Sequence, residues 1–213
     1  MLIASYPKSG GSWLTWMLID IIHKPDFYCD QVAKTQLDKL IHKAEIPQIA
    51  NPDIHIFRHP LDVVCSAYNY CLFTFKQVPP LSQYIDHYLA NGNLLTLQTV
   101  TYQGMYNYGK QAPIQIKYED LLENTKKELS KVVESVNIDK TIEKYSLDNC
   151  KAREKTVDAE KIQRKTNKNY TFFNKATKYY YKEQFTPQQI QKGHTVFAEV
   201  IEKHWPDSIE EKI

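Results

Sequence analysis

Residues 4 to 14 read Ala4-Ser5-Tyr6-Pro7-Lys8-Ser9-Gly10-Gly11-Ser12-Trp13-Leu14. An apolar run, Met1 to Ala4, leads into this stretch, and an amphipathic one, Trp13 to Ile22, leaves it. Strand, glycine turn and helix start in that order make an anion site. The first N–H groups of a helix have no partner within it, and its dipole favours negative charge there. Gly10 and Gly11 let the backbone come close to a phosphate, the Ser9 and Ser12 hydroxyls add donors, Lys8 adds a full charge, and Trp13 can offer a flat face to a base. The order of residues is not that of a Walker loop, in which lysine follows the glycines.

Outward from this loop, strands are predicted at Leu2–Ser5, Gln31–Lys34, Asp53–Arg58 and Pro113–Tyr118. Helical patterns fall at Gly11–His23, Asp38–Ala44, Leu61–Phe75, Leu81–Ala90, Leu94–Lys110 and Leu121–Val136. Strands alternating with helices predict an α/β fold of three layers, a mainly parallel sheet flanked by helices, with the phosphate loop after the first strand. Leu2–Ser5 is apolar on both faces, as a central parallel strand is. Lys151 to Lys182 has no period. Helix returns over Thr186–Trp205, with Thr186 as N-cap, Pro187 at the first helical position and Gln189 closing a capping box.

The chain has 213 residues, 42% of them hydrophobic, which predicts one domain over 1–213 with a packed core. A net charge of +2 argues against a general nucleic-acid binder. No apolar run reaches the ~18 residues of a membrane span, and no leader is read before the first strand, so a soluble, cytoplasmic protein is expected. The four cysteines, Cys29, Cys65, Cys71 and Cys150, lack CxxC spacing and are read as free thiols in or near the core.

A second stretch, Arg58-His59-Pro60-Leu61-Asp62-Val63-Val64-Cys65-Ser66, puts an arginine at a strand end, a proline at a helix start and a serine in the early turns. Ligands of α/β folds bind beyond the carboxyl ends of strands. A guanidinium grips phosphate bidentately, and a serine hydroxyl can complete the site. The competing reading is that Arg58 pairs with Asp62 and only fixes the turn.

Taken together, Tyr6–Trp13 (YPKSGGSW) and Arg58–Ser66 (RHPLDVVCS) resemble the PAPS-dependent sulfotransferase family, in which YPKSGTTW and RNPxDVxxS-like segments occur. Ile116-Lys117-Tyr118-Glu119-Asp120-Leu121 resembles that family's strand ending in YED. The resemblance implies that the loop, Lys8 to Trp13, holds the 5′-phosphosulfate of 3′-phosphoadenosine 5′-phosphosulfate (PAPS). It also implies that Arg58 and Ser66 hold the 3′-phosphate and that Tyr118 helps seat the adenine. The implied reaction passes a sulfuryl group to a hydroxyl or amine and releases PAP. The transition state is loose, so catalysis is mostly charge stabilisation, with Lys8 at the sulfuryl oxygens and no metal expected. A small molecule, carbohydrate, lipid or peptide tyrosine all remain acceptors.

Two segments depart from the family pattern. Many members use a histidine as base in a KTH motif after the second strand. The corresponding run is read here as Lys34-Thr35-Gln36, and glutamine accepts no proton at neutral pH. Lys34 keeps a second positive charge. His42 is the favoured base because imidazole titrates near neutrality, with Asp30 and Asp38 as the other candidates. The family's RKGxxGxW segment corresponds to Asn174–Tyr181, where Lys175 can reach the 3′-phosphate and Tyr181 can replace the tryptophan in packing. The alternatives are a PAP, PAPS or nucleotide binder that has lost its base, and a small-molecule kinase with a variant loop.

Overall fold

A computed structural model describes residues 1–23, 41–75, 77–95, 98–134, 138–152 and 177–210. The predicted strand Gln31–Lys34 lies outside them, as do Lys34, Lys175, Asp30, Asp38 and Cys29. The chain divides into two compact units, one of Met1–Arg58 with Gly104–Arg153 and one of His59–Gln103 with Glu154–Ile213.

The first unit carries an α/β sheet. Four parallel strands, β1 (Leu2–Ser5), β2 (His42–Ala44), β3 (Ile54–Phe57) and β4 (Ile114–Lys117), stand in the order β2-β1-β3-β4. The central strands are the most apolar. Every residue of β3 is buried, while the edge strands β2 and β4 are mixed. Helix α1 (Gly11–His23) packs on β1 and β2, burying Leu14, Met17 and Leu18 on one face. Asp20 on α1 accepts from Thr141 Oγ1 at 3.0 Å and pairs with Lys144.

One expected helix is replaced. Residues 42–44 of the predicted Asp38–Ala44 helix form β2, in register with β1 (Leu2 with His42, Ala4 with Ala44). So short a segment takes its form from the open edge of β1 rather than from its own propensity. The expected Leu121–Val136 helix divides into α5 (Tyr118–Glu123) and α6 (Thr125–Ser130). Asn124 ends the first, and its side chain accepts from Lys127 N at 3.2 Å to cap the second, a position asparagine prefers to a helix interior.

In the second unit, α2 (Pro60–Thr74) and α3 (Leu81–Asn91) fall close to the predicted spans. The helix expected over Leu94–Lys110 is shorter: α4 runs Tyr102–Gly109, after the helix-poor run Thr99-Val100-Thr101. Helix α7 (Ile138–Lys144) was not predicted. The Thr186–Trp205 stretch is two helices, α8 (Pro187–Val196) and α9 (Ala198–His204). Both hydrogen bonds of the Thr186–Gln189 capping box form. The break falls at Phe197, which is buried against Tyr88 and Tyr102 at ring separations of 5.4 and 5.5 Å. The last helix is α10 (Asp207–Glu210). Cys65, Cys71 and Cys150 are buried thiols. Among the described residues no helix is long and apolar enough to cross a membrane.

A short 3-10 turn, Tyr180–Glu183, precedes α8 and is tied to the start of α2. The Asp62 carboxylate accepts the backbone N–H groups of Tyr179 and Tyr181, both at 2.9 Å. His59 caps α2 and stacks its ring on Tyr181, 4.7 Å away and 9° from parallel. Tyr181 is thus wholly buried.

His194 lies 3.4 Å from the Tyr181 hydroxyl. Burial first, and the Lys182 ammonium second, hold its imidazole below the ordinary value. The unfolded chain therefore binds this proton more readily than the folded one, and stability falls as pH drops below about 6.5. Thermal melts between about pH 7 and pH 5 should show a flatter pH dependence for His194→Gln than for the wild type. Parallel curves would remove His194 from the acid response.

Candidate active site

The strand order sets the place. β1 has β2 on one side and β3 on the other, so strand order reverses at β1, and in open parallel sheets ligands bind beyond the carboxyl ends of the strands at such a point. Ser5 stands opposite Ile56, and Phe57 opposite Lys117. The residues that follow, Tyr6 to Gly10, Arg58, and Tyr118, therefore emerge at the same end of the sheet.

Tyr118 is where they meet. The Arg58 guanidinium carbon lies 4.6 Å from the centre of its ring. The edge of Trp13 meets the same ring at 6.2 Å, and Trp13 Nε1 donates to the Tyr145 carbonyl at 3.0 Å, which fixes the indole. Gly10 passes so near that a Cβ added there would stand 2.5 Å from Tyr118 Cδ2. Its φ is +89°, in the left-handed region. Gly10→Ala should thus lose stability twice, by backbone strain of ~1 kcal/mol and by displacing the tyrosine. We expect a fall in Tm of a few degrees, with part of it recovered when Tyr118→Ala removes the ring. No fall in the single variant would contradict the close approach.

Lys8 also has positive φ, 69°, a conformation that costs a non-glycine residue ~1 kcal/mol. Glycine would take it without strain, so the lysine is held there for its side chain. Ser9 is wholly buried, and its hydroxyl has no hydrogen-bond partner among the described residues. Buried hydroxyls are nearly always paired, so an orphan in a glycine-rich turn fits a ligand that supplies acceptors.

At Gly11, which opens α1, an added Cβ would stand 2.4 Å from Ser5 Oγ and 3.0 Å from Lys43 Cδ. The Lys43 stem crosses the helix start, and its Nζ donates to Ser12 Oγ at 3.1 Å and to Glu45 Oε1 at 2.7 Å. Lys43, with Glu45 bonded to it, reaches the loop at Ser12, and both escaped the sequence reading. Their contact with the loop depends on β2, which carries no strand signal of its own.

Of the other expected residues, Ser66 lies half-buried in the second turn of α2, in the second unit. The Asp62 oxygens serve Tyr179 and Tyr181, as described above. His42 opens β2 opposite Leu2, exposed, at the strand end away from the loop, so the structure does not bring it to Lys8–Trp13. Lys34 and Lys175 fall outside the described residues. Among the described residues no cluster of three or more His, Cys, Asp or Glu side chains is grouped to hold a metal.

A profile of the sulfotransferase domain matches residues 53–204. The match starts before β3 and leaves β1, the glycine-rich turn and β2 outside it. No curated protein matches the chain. Among solved structures, mouse sulfotransferase SULT7A1 complexed with PAP superposes with a TM-score of 0.68 at 17% identity, over 94% of this chain and 83% of that one. Retinol dehydratase in complex with androsterone and inactive cofactor PAP gives a TM-score of 0.68 at 12% identity, over 94% of this chain and 80% of that one. Retinol dehydratase with retinol and PAP gives 0.64 at 13% identity, with the same two coverages of 94% and 80%. At such identities the likeness is one of fold.

Proposed function

The chain belongs to the sulfotransferase-domain family, and from that premise we propose that it transfers a sulfuryl group from PAPS to an acceptor hydroxyl or amine, releasing PAP. The observation that carries this reading is the shared end of the sheet at which the Lys8–Ser12 turn, Arg58 and Tyr118 emerge. The buried, orphaned Ser9 hydroxyl supports it. Bound PAPS supplies an activated sulfuryl group on a phosphate.

In this reading the N–H groups of Gly10, Gly11 and Ser12, with the Ser9 hydroxyl, bind the 5′-phosphosulfate at the start of α1. Lys8 neutralises the charge that grows on the sulfuryl and leaving oxygens. Arg58, with Ser66 and Lys175, takes the 3′-phosphate, and Lys34 adds charge near the sulfuryl group. Tyr118 and Trp13 offer faces to the adenine. Arg58 packs its guanidinium carbon 4.6 Å from the Tyr118 ring centre, and a side chain already packed loses less entropy on binding. We take 1–213 as a single sulfotransferase domain built of two units.

Retinol and androsterone in the solved relatives carry hydroxyl groups, so small alcohols and phenols are the first acceptors to screen. The test is calorimetric titration with PAP, and with ATP as control. Micromolar PAP binding with far weaker ATP binding is expected. The opposite order would replace the sulfuryl reading with a nucleotide one.

A further inference from the structure

Glu45 is out of place in a site for an anion. It follows β2 directly, level with the end of β1 and two residues after Lys43. Lys43 holds it there: one ammonium bonds both Glu45 Oε1, at 2.7 Å, and Ser12 Oγ, at 3.1 Å, in the first turn of α1. A carboxylate tied to the helix start repels the phosphosulfate that the start would bind, so donor binding does not explain it. Nor does folding. The side chains of Lys43 and Glu45 are 28% and 42% exposed, and pairs so open to water contribute little to stability. The other carboxylate oxygen, Oε2, has no hydrogen-bond partner among the described residues.

Proton transfer does explain it. We propose that Glu45 is the general base of the reaction and that Lys43 is a positioning residue that holds it against the loop. This inference rests on the sulfuryl-transfer reading. The acceptor O–H breaks and its proton passes to the Glu45 carboxylate. The acceptor oxygen forms the new O–S bond, while the bond from sulfur to the phosphate oxygen of PAPS breaks and its electron pair leaves with PAP. Glu45 then returns the proton to water. The Lys43 ammonium, bonded to both Glu45 and Ser12, holds the carboxylate beside the start of α1 until the acceptor arrives.

The experiment compares the wild type with Glu45→Gln, Glu45→Asp and Lys43→Met on two readouts. The first is calorimetric affinity for PAP. The second is release of inorganic [35S]sulfate from labelled PAPS, with water as the acceptor, across pH 5 to 9. Glu45→Gln should bind PAP as tightly as the wild type or a few-fold more tightly, because a negative charge is gone. Its sulfate release should fall about 100-fold. Glu45→Asp should keep a measurable part of the rate, and Lys43→Met should lower the rate while weakening PAP binding. An unchanged rate and profile in Glu45→Gln, with PAP still bound, would overturn the assignment. So would a wild type that binds PAP yet releases no sulfate. A wild type that binds no PAP would instead bring down the donor-site reading on which the inference stands.

Discussion

Lys8→Ala should lower kcat for sulfuryl transfer by about 10²–10³-fold, while PAP affinity changes by less than about tenfold. The inequality follows from where the charge lies during the reaction. In the proposed reading the ground-state donor anion is shared among the N–H groups at the start of α1, the Ser9 hydroxyl and the neighbouring cations. As the bond to sulfur stretches, negative charge gathers on the leaving oxygen, and a cation fixed beside it gains strength with the charge. A loss of that size corresponds to ~3–4 kcal/mol of transition-state stabilisation. Lys8→Gly separates this role from a structural one. Lys8 has φ 69°, so glycine relieves strain there. That variant should melt no lower than the wild type and yet be as slow as Lys8→Ala. Near-normal turnover in either variant would remove Lys8 from the chemistry.

The second large effect belongs to Arg58. Arg58→Ala should weaken PAP binding about 100-fold, close to 3 kcal/mol, because a charge-assisted, bidentate contact to phosphate is lost from a site only 9% exposed. In the proposed reading Arg58 holds the 3′-phosphate, remote from the sulfuryl group, so kcat at saturating donor should fall much less than affinity does. Arg58→Lys should recover little. An ammonium does not form the planar fork that a guanidinium, 4.6 Å from the Tyr118 ring centre, can present to phosphate. Calorimetry with PAP checks the first statement, and initial rates at saturating PAPS check the second. Unchanged PAP affinity in Arg58→Ala would mean that the Arg58–Ser66 stretch serves the fold alone.

The legible parts of this molecule are those whose signals are local. The α1 span Gly11–His23 follows from a helical period that begins at a glycine turn. The α8 start follows from the Thr186–Gln189 spacing, and β1 and β3 from short apolar runs. The illegible parts are those decided by distant neighbours. β2 exists because β1 has an open edge. Asn124 and Phe197 break helices, one by capping the next helix and the other by filling an aromatic cluster. Arg58, Tyr118 and the turn at residues 8–13 were found as separate stretches, and sheet register unites them. Lys43 and Glu45 were passed over for the same reason: Lys43 reaches Ser12 across 31 positions of chain. His42 drew attention by its chemistry, yet the register that carries Lys43 toward the loop carries His42 away from it.

The close approach at Gly11 constrains how this loop can change over generations. Any side chain at that position meets Ser5 and the stem of Lys43 together. No single replacement at 11 is open, therefore, while both neighbours stand. Substituting Ser5 alone still leaves the lysine across the helix start. Substituting Lys43 alone gives up the cation that holds Ser12 and Glu45 while the serine still blocks the way. Ser5, Gly11 and Lys43 are therefore coupled, and a change at 11 calls for adjustment at 5 first and at 43 second. Randomising residue 11 by itself should return only glycine. Randomising 5, 11 and 43 at once is the route by which a differently shaped anion loop could emerge from this scaffold.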